Sequence, residues 1–138
     1  MTPRQIAKRI AYWQTRLGLG TWDIHYSTET PGHDERASCD FYVVSRSAVI
    51  RIAHDAPDHQ IDRLIVHELG HVLMAEMHDL FDRTVGDHQA EAQAFLHGQW
   101  ERAQEWTLER LAYALTGQER VEFGDDIESH WKTATLVR

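Results

Sequence analysis

Cysteine and proline are scarce in this chain, and long apolar runs are missing from it. The single cysteine, Cys39, can form neither an internal disulfide nor a zinc site of the Cys-x-x-Cys kind, so a metal would have to be held by histidine and carboxylate side chains. No stretch approaches the roughly 20 apolar residues of a membrane span, and no apolar run near the start precedes a small-residue cleavage site. We therefore expect a soluble, cytoplasmic protein without a membrane partner.

Basic residues are in the minority. The chain has 14 Lys and Arg against 22 Asp and Glu, which gives a net charge of -8. Because an acidic body repels phosphate backbones, this balance disfavours nucleic acid as the main partner. The basic residues near the start, Arg4, Lys8, Arg9 and Arg16, are interpreted as the solvated face of a helix.

Local patterns predict a helix, three strands and two further helices. Thr2-Pro3-Arg4-Gln5 has the form of a capping box, and apolar side chains then recur at helical spacing as far as Leu17. Alternation of apolar and polar side chains predicts a first strand around Trp22 to Tyr26. The later expectations are strands over 37–44 and 48–53, a helix over 58–78, a loop over 78–86 and a helix over 87–116.

These elements predict one α+β domain over residues 1–117. The three strands are expected to form a small, mostly antiparallel sheet between an N-terminal helix and a long C-terminal helix. Residues 118–138 are expected to form a tail, with a short hairpin around Gly124 or partly mobile.

The helix expected over 58–78 carries the pattern His-Glu-x-x-His at His67, Glu68 and His71. Two histidines one helical turn apart can bind one metal ion, while the glutamate beside them stays free to move protons. Gly70, inside the motif, is unfavourable in a helix, so we expect it to allow a second element to approach closely. The spacing therefore predicts a zinc site for hydrolysis.

A catalytic zinc ion commonly has three protein ligands, so the chain must supply one more. His78 is two turns beyond His71, too far for the same ion unless the helix breaks first. Glu105 shares a helix face with apolar residues and would point into the core, where a metal would neutralise its charge. Glu105 is preferred, and Glu91 and His97 remain alternatives. Other glutamates of the last helix, such as Glu109, are interpreted as a solvated face.

The chain resembles small gluzincin-type metallopeptidase-like proteins that phages and prophages frequently encode. The similarity lies in four segments, of which only the motif segment is specific: Leu17-Gly18-Leu19 with Trp22-Asp23-Ile24, Ala48 to Ile52, Val66 to Leu73 and Glu105 to Ala112. The resemblance implies a minimal zincin-like fold and Glu105 as third ligand. Spacing alone favours Glu91, which follows His71 at the interval seen in thermolysin-like enzymes.

Three other families with the same zinc-binding motif are alternatives to this resemblance, and two of them match the chain poorly. Metzincins carry Gly and His after the motif where this chain has Met74 and Met77. SprT-like proteases use a further histidine, which His97-Gly98 matches poorly, and ImmA/IrrE-like proteins share the His-Glu-Leu-Gly-His form. A zinc-stabilised binding or phage structural module without hydrolytic activity is the alternative from another class.

The expected reaction is hydrolysis of a peptide or protein substrate. Zn2+ would be bound by His67, His71 and Glu105, and Glu68 would act as the general base. The family architecture implies that an edge strand pairs with the extended substrate, and residues 48–53 are the candidate. The candidate donors to the transition state are Tyr42, Tyr113, His25 and His97.

Overall fold

The first helix begins at the expected capping box. In a computed structural model, which describes residues 1–117, helix α1 spans Pro3–Arg16. The Thr2 hydroxyl accepts a hydrogen bond from the Gln5 backbone N–H at 3.3 Å, and the Gln5 side chain accepts one from the Thr2 N–H at 2.7 Å. The apolar stripe of α1 is buried, and Gly18, with a φ of +71°, allows the chain to turn away.

Three strands follow, and they form one mixed sheet. Strand β1 is Asp23–Ser27, β2 is Ala37–Tyr42 and β3 is Ser47–Ile52, and β3 lies in the centre. Strand β2 runs antiparallel to β3, whereas β1 runs parallel to it, so only one of the two pairings is antiparallel. Alternate side chains of β3 are completely buried against the helices.

The helix expected over 58–78 is two helices. A 3-10 turn at Asp58–Gln60 leads into α2, Ile61–Leu73, and α3 is Ala75–Val85. The break is at Met74, whose N–H reaches the carbonyl groups of Gly70 and Val72. The loop expected over 78–86 is therefore wrong, because a fully buried Ala75 anchors a new helix in the core. Helix α4 is Ala90–Thr116 and begins three residues later than expected.

Helix α2 lies at the centre of the fold and packs against α4, α1 and the sheet. A Cβ atom at Gly70 would come within 2.5 Å of Leu108 Cδ2, so the absence of a side chain lets α4 approach α2 closely. This confirms the expected packing role of Gly70. The close crossing holds the middle of α4 against the motif face of α2.

The expected α+β class, with its small sheet, N-terminal helix and long C-terminal helix, is confirmed. No helix within residues 1–117 is both long and apolar enough to cross a lipid bilayer. The hairpin expected around Gly124 lies outside the described residues.

Candidate metal centre

Three side chains from two helices converge at the motif. His67 and His71 lie one turn apart on α2, with ring centroids 5.2 Å apart. Glu105 on α4 reaches both rings: one carboxylate oxygen is 2.9 Å from His67 Nε2 and the other is 3.0 Å from His71 Nε2. One ligand atom from each residue lies within 4.8 Å of the other two. Two imidazoles and a carboxylate are ligands that zinc commonly takes, so this set could hold a metal ion.

The alternative third ligands do not belong to the cluster of His67, His71 and Glu105. Glu91 is exposed in the first turn of α4 and does not line the cleft that contains the triad. His78 and His97 line this cleft, but each lies near Asp82, at 3.4 and 3.5 Å respectively. Glu105 itself does not point into the core as expected, because its side chain is 48% exposed at the wall of the cleft.

A second carboxylate supports His67 from behind. Glu109 Oε2 lies 2.7 Å from His67 Nδ1, and Arg63 forms an ion pair with the other oxygen of Glu109. The Arg63 guanidinium also lies over the ring of Tyr113, 5.0 Å from its centroid. A carboxylate at Nδ1 fixes the tautomer that leaves the Nε2 lone pair free for a metal.

The expectation that Glu109 belongs to a solvated face is therefore wrong, because its side chain is only 18% exposed. Its position one turn after Glu105 was the available signal, since residues four apart share a helix face. Arg63 had a similar signal, four residues before His67. The sequence pattern does not show that α4 crosses α2 beside His67, and this contact is what buries Glu109.

Neighbouring charges shift the pKa of His67, Glu105 and Glu109. Burial alone would lower the pKa of His67, but hydrogen bonds with Glu105 and Glu109 outweigh it and raise the pKa to about 10. Burial would raise the pKa of Glu105, but its contacts with His67 and His71 hold it at about 2. The pKa of Glu109 is lowered as well, because the contacts with His67 and Arg63 outweigh its burial. The metal-free site is thus an ion cluster whose proton on His67 a metal must displace.

Glu68 lies beside the triad without belonging to it. Its side chain is buried, with 7% of the residue exposed, and it lines the same cleft. Burial raises the pKa of Glu68 to about 7, although the neighbouring His67 and His71 oppose this shift. A carboxylate with a pKa near 7 can both accept and release a proton at neutral pH.

The single cysteine is not suited to chemistry at this site. Cys39, on β2, is close enough to Glu68 for that carboxylate to add to the effect of burial, and together they raise the pKa of the thiol to about 12. The thiol therefore stays protonated at neutral pH, whereas metal ligation and nucleophilic attack need the thiolate.

The cleft has a volume of about 1020 Å³ and lies between strand β2 and helices α2, α3 and α4. Of the four expected donors, only His97 lines it. Tyr42 is 59% exposed, and His25 is an exposed partner of Asp23. Tyr113 contacts Arg63.

No family model, curated protein or solved structure matches the chain. The function must therefore be inferred from the geometry of the site.

Proposed function

We propose that this protein is a zinc-dependent metallopeptidase that hydrolyses peptide bonds. The observation that carries the proposal is the separation of roles around one point: His67, His71 and Glu105 converge as ligands, and Glu68 lies beside them in the same cleft. Zinc held by such a ligand set supplies Lewis acidity, which makes water a stronger acid and a peptide carbonyl more electrophilic.

Glu68 moves the proton in this proposal. Its carboxylate accepts a proton from the attacking water and delivers that proton to the amine nitrogen as the C–N bond breaks. The pKa of about 7 supports both steps, since the ionised and protonated forms are both populated at neutral pH. A binding module would have no use for a free, buried carboxylate at this place.

Glu109 and Arg63 act through His67. Glu109 accepts a hydrogen bond from His67 Nδ1, and the ion pair with Arg63 holds the Glu109 carboxylate in place. The His67 ring is therefore fixed in one orientation and one tautomer, with Nε2 directed toward Glu105.

The substrate is proposed to pair with strand β2. The sequence candidate for this role, residues 48–53, is wrong, because β3 lies in the centre of the sheet with a partner on each side. Strand β2 lies at the edge, and its residues from Ala37 to Phe41 line the cleft. Its edge away from β3 offers backbone groups to an extended peptide.

The Glu68→Gln variant tests this function. We expect it to retain about one zinc per chain, since Glu68 is not a ligand, and to lose hydrolysis by about 100-fold or more. Zinc is measured by mass spectrometry after dialysis, and hydrolysis with a pool of fluorogenic peptides.

Glu101→Gln is the matched control, because Glu101 is an exposed carboxylate that lines the same cleft outside the triad. Equal hydrolysis by the parent protein and Glu68→Gln would contradict the role of Glu68. Zinc binding without hydrolysis of any peptide by the parent would favour a binding module instead.

A further inference from the structure

One wall of the cleft contains buried polar atoms without hydrogen-bond partners. Within residues 1–117, His78 Nδ1, Trp100 Nε1 and Gln104 Nε2 are all covered from solvent and have no partner. All three residues line the cleft, and none of them belongs to the metal triad. Buried polar groups are almost always paired in folded proteins, so three neighbours that are not point to a missing ligand.

These side chains lie next to one another where α3 meets α4. The ring centroids of His78 and Trp100 are 5.8 Å apart, and the ring centroid of Phe41, on β2, lies 5.9 Å from that of His78. Phe81 stacks on Trp100 at 4.9 Å. Gln104, which is 4% exposed, follows Trp100 by one turn on the same face of α4. We name His78, Trp100 and Gln104 the amide wall.

The amide wall offers two donors and one acceptor. The indole of Trp100 and the amide nitrogen of Gln104 can only donate. His78 Nε2 lies 3.4 Å from Asp82 Oδ2, which favours the proton on Nε2 in the neutral ring and leaves Nδ1 as an acceptor.

This donor pattern discriminates between kinds of substrate side chain. An apolar side chain would leave both N–H groups unpaired, and an ammonium group would present donors to donors. A carboxylate could accept from both, but it would meet the charges of Asp82 and Glu101, and it has no proton for His78 Nδ1. A primary carboxamide fits all three, because its oxygen accepts two hydrogen bonds and its nitrogen donates one.

We propose that the amide wall is a subsite for the side-chain carboxamide of glutamine or asparagine in the bound peptide. The inference rests on the proposed peptidase function, since it assumes a peptide in the cleft. The three nitrogens are covered in the free protein, so binding requires the His78 side chain, which is 31% exposed, to rotate until Nδ1 and the two donors face the carboxamide.

The test is peptide binding by the full chain carrying Glu68→Gln, loaded with zinc and labelled with ¹⁵N. The probes are acetylated Ala-X-Ala N-methylamides in which X is Gln, Glu, Leu or Lys. We expect the Gln peptide to bind about tenfold more tightly than the Leu peptide and to shift the indole N–H signal of Trp100. The Trp100→Phe variant assigns that signal.

Gln104→Leu is expected to remove the preference for the Gln peptide while leaving the affinity for the Leu peptide unchanged. Gln99→Leu is the matched control, because Gln99 is on the same helix and does not line the cleft. His78→Phe keeps a ring but removes the acceptor, and it should lower the preference if Gln104→Leu fails to fold.

Equal affinities for the Gln and Leu peptides, or a Trp100 signal that does not move, would overturn the subsite. Tighter binding of the Glu peptide would overturn it in favour of an acidic side chain. The readout needs no hydrolysis, so the two proposals fail separately. A Gln preference in a protein that cleaves nothing refutes only the peptidase, and cleavage without a Gln preference refutes only the amide wall.

Discussion

At the scale of single residues, the candidate metal centre depends on side chains outside the set of His67, His71 and Glu105. Glu109 joins His67 to Arg63, and Arg63 in turn lies against Tyr113. Each contact restricts the rotation of the next side chain, so the orientation of the His67 ring is already fixed in the metal-free protein. These contacts should raise the affinity for a metal, because the His67 side chain loses less conformational entropy when the metal binds.

Replacement of Glu109 by alanine is expected to weaken zinc binding by about 10- to 100-fold, because His67 loses the acceptor that fixes its tautomer. Competition with a chromogenic chelator measures the change. Glu101→Ala is the control, since Glu101 also lines the cleft on α4 without belonging to the triad. Equal zinc affinities for the two variants would show that Glu109 has no positioning role.

The third ligand can be tested by comparing two glutamates of α4. Glu105→Ala is expected to leave less than half of the zinc of the parent after dialysis, because two histidines alone hold the ion weakly. Glu91→Ala is expected to retain all of it, since Glu91 is exposed and away from the cleft. The opposite order would move the ligand assignment to Glu91.

At the scale of elements, the site depends on how closely α4 crosses α2. A side chain at Gly70 would overlap Leu108 Cδ2, and Leu108 is only 2% exposed, so it has little space in which to turn. Glu105 lies three residues before Leu108 and Glu109 directly follows it, and they reach His71 and His67 from there. The geometry of the ligands is thus set by the spacing between two helices.

Gly70→Ala is expected to destabilise the protein by about 1–3 kcal/mol, because overpacking outweighs the better helix propensity of alanine. Leu108→Ala should cost about 2–5 kcal/mol through the cavity that it creates. In the double variant the added methyl fills part of that cavity. The double variant should therefore be destabilised by at least about 0.5 kcal/mol less than the sum of the two single effects. Urea unfolding measures all three, and strict additivity would contradict the contact.

The elements that could be predicted from the sequence are those with a local signal. Thr2 and Gln5 form the capping box of α1, and the period-two and helical patterns located the strands and the motif helix. The break at Met74 has no such signal, since neither proline nor glycine marks it. The helix ends there because Ala75 and α3 pack into the core, and tertiary packing of this kind is invisible to periodicity.

The site shows the same division. The spacing of His67, Glu68 and His71 predicted side chains on one helical turn, which the structure shows, and Glu105 lies within reach of both histidines. The environment of Glu109 and the amide wall could not be predicted, because they depend on which levels of α2, α3 and α4 face one another. Zinc binding and hydrolysis themselves stay predictions.

At the scale of the whole molecule, the buried charges of the centre make stability depend on pH. In the metal-free protein the pKa of His67 is raised from 6.5 to about 10, so its contribution to the free energy of unfolding is full below pH 6.5 and is lost as pH rises through 10. For Glu68, raised from 4.5 to about 7, the contribution is full below pH 4.5 and lost as pH rises through 7. Glu105, lowered from 4.5 to about 2, contributes above pH 4.5 and loses this as pH falls through 2.

The metal-free protein should therefore be most stable near about pH 5 and weaken toward alkaline pH. We expect its melting temperature in a chelator to be at least about 3 °C higher at pH 5 than at pH 9. Added zinc should raise the melting temperature more at pH 8 than at pH 5.5, because the metal competes with the proton on His67. A metal-free protein that melts higher at pH 9 would contradict the ion cluster.

The break at Met74 separates two helices that carry different groups of the cleft. Helix α2 carries His67, Glu68 and His71, whereas α3 carries His78 and Phe81. Under the proposed function, exchange of surface residues on α3 is expected to change which peptides bind while the groups on α2 keep their positions. Altered selectivity would then be sought by randomising α3 and leaving α2 unchanged.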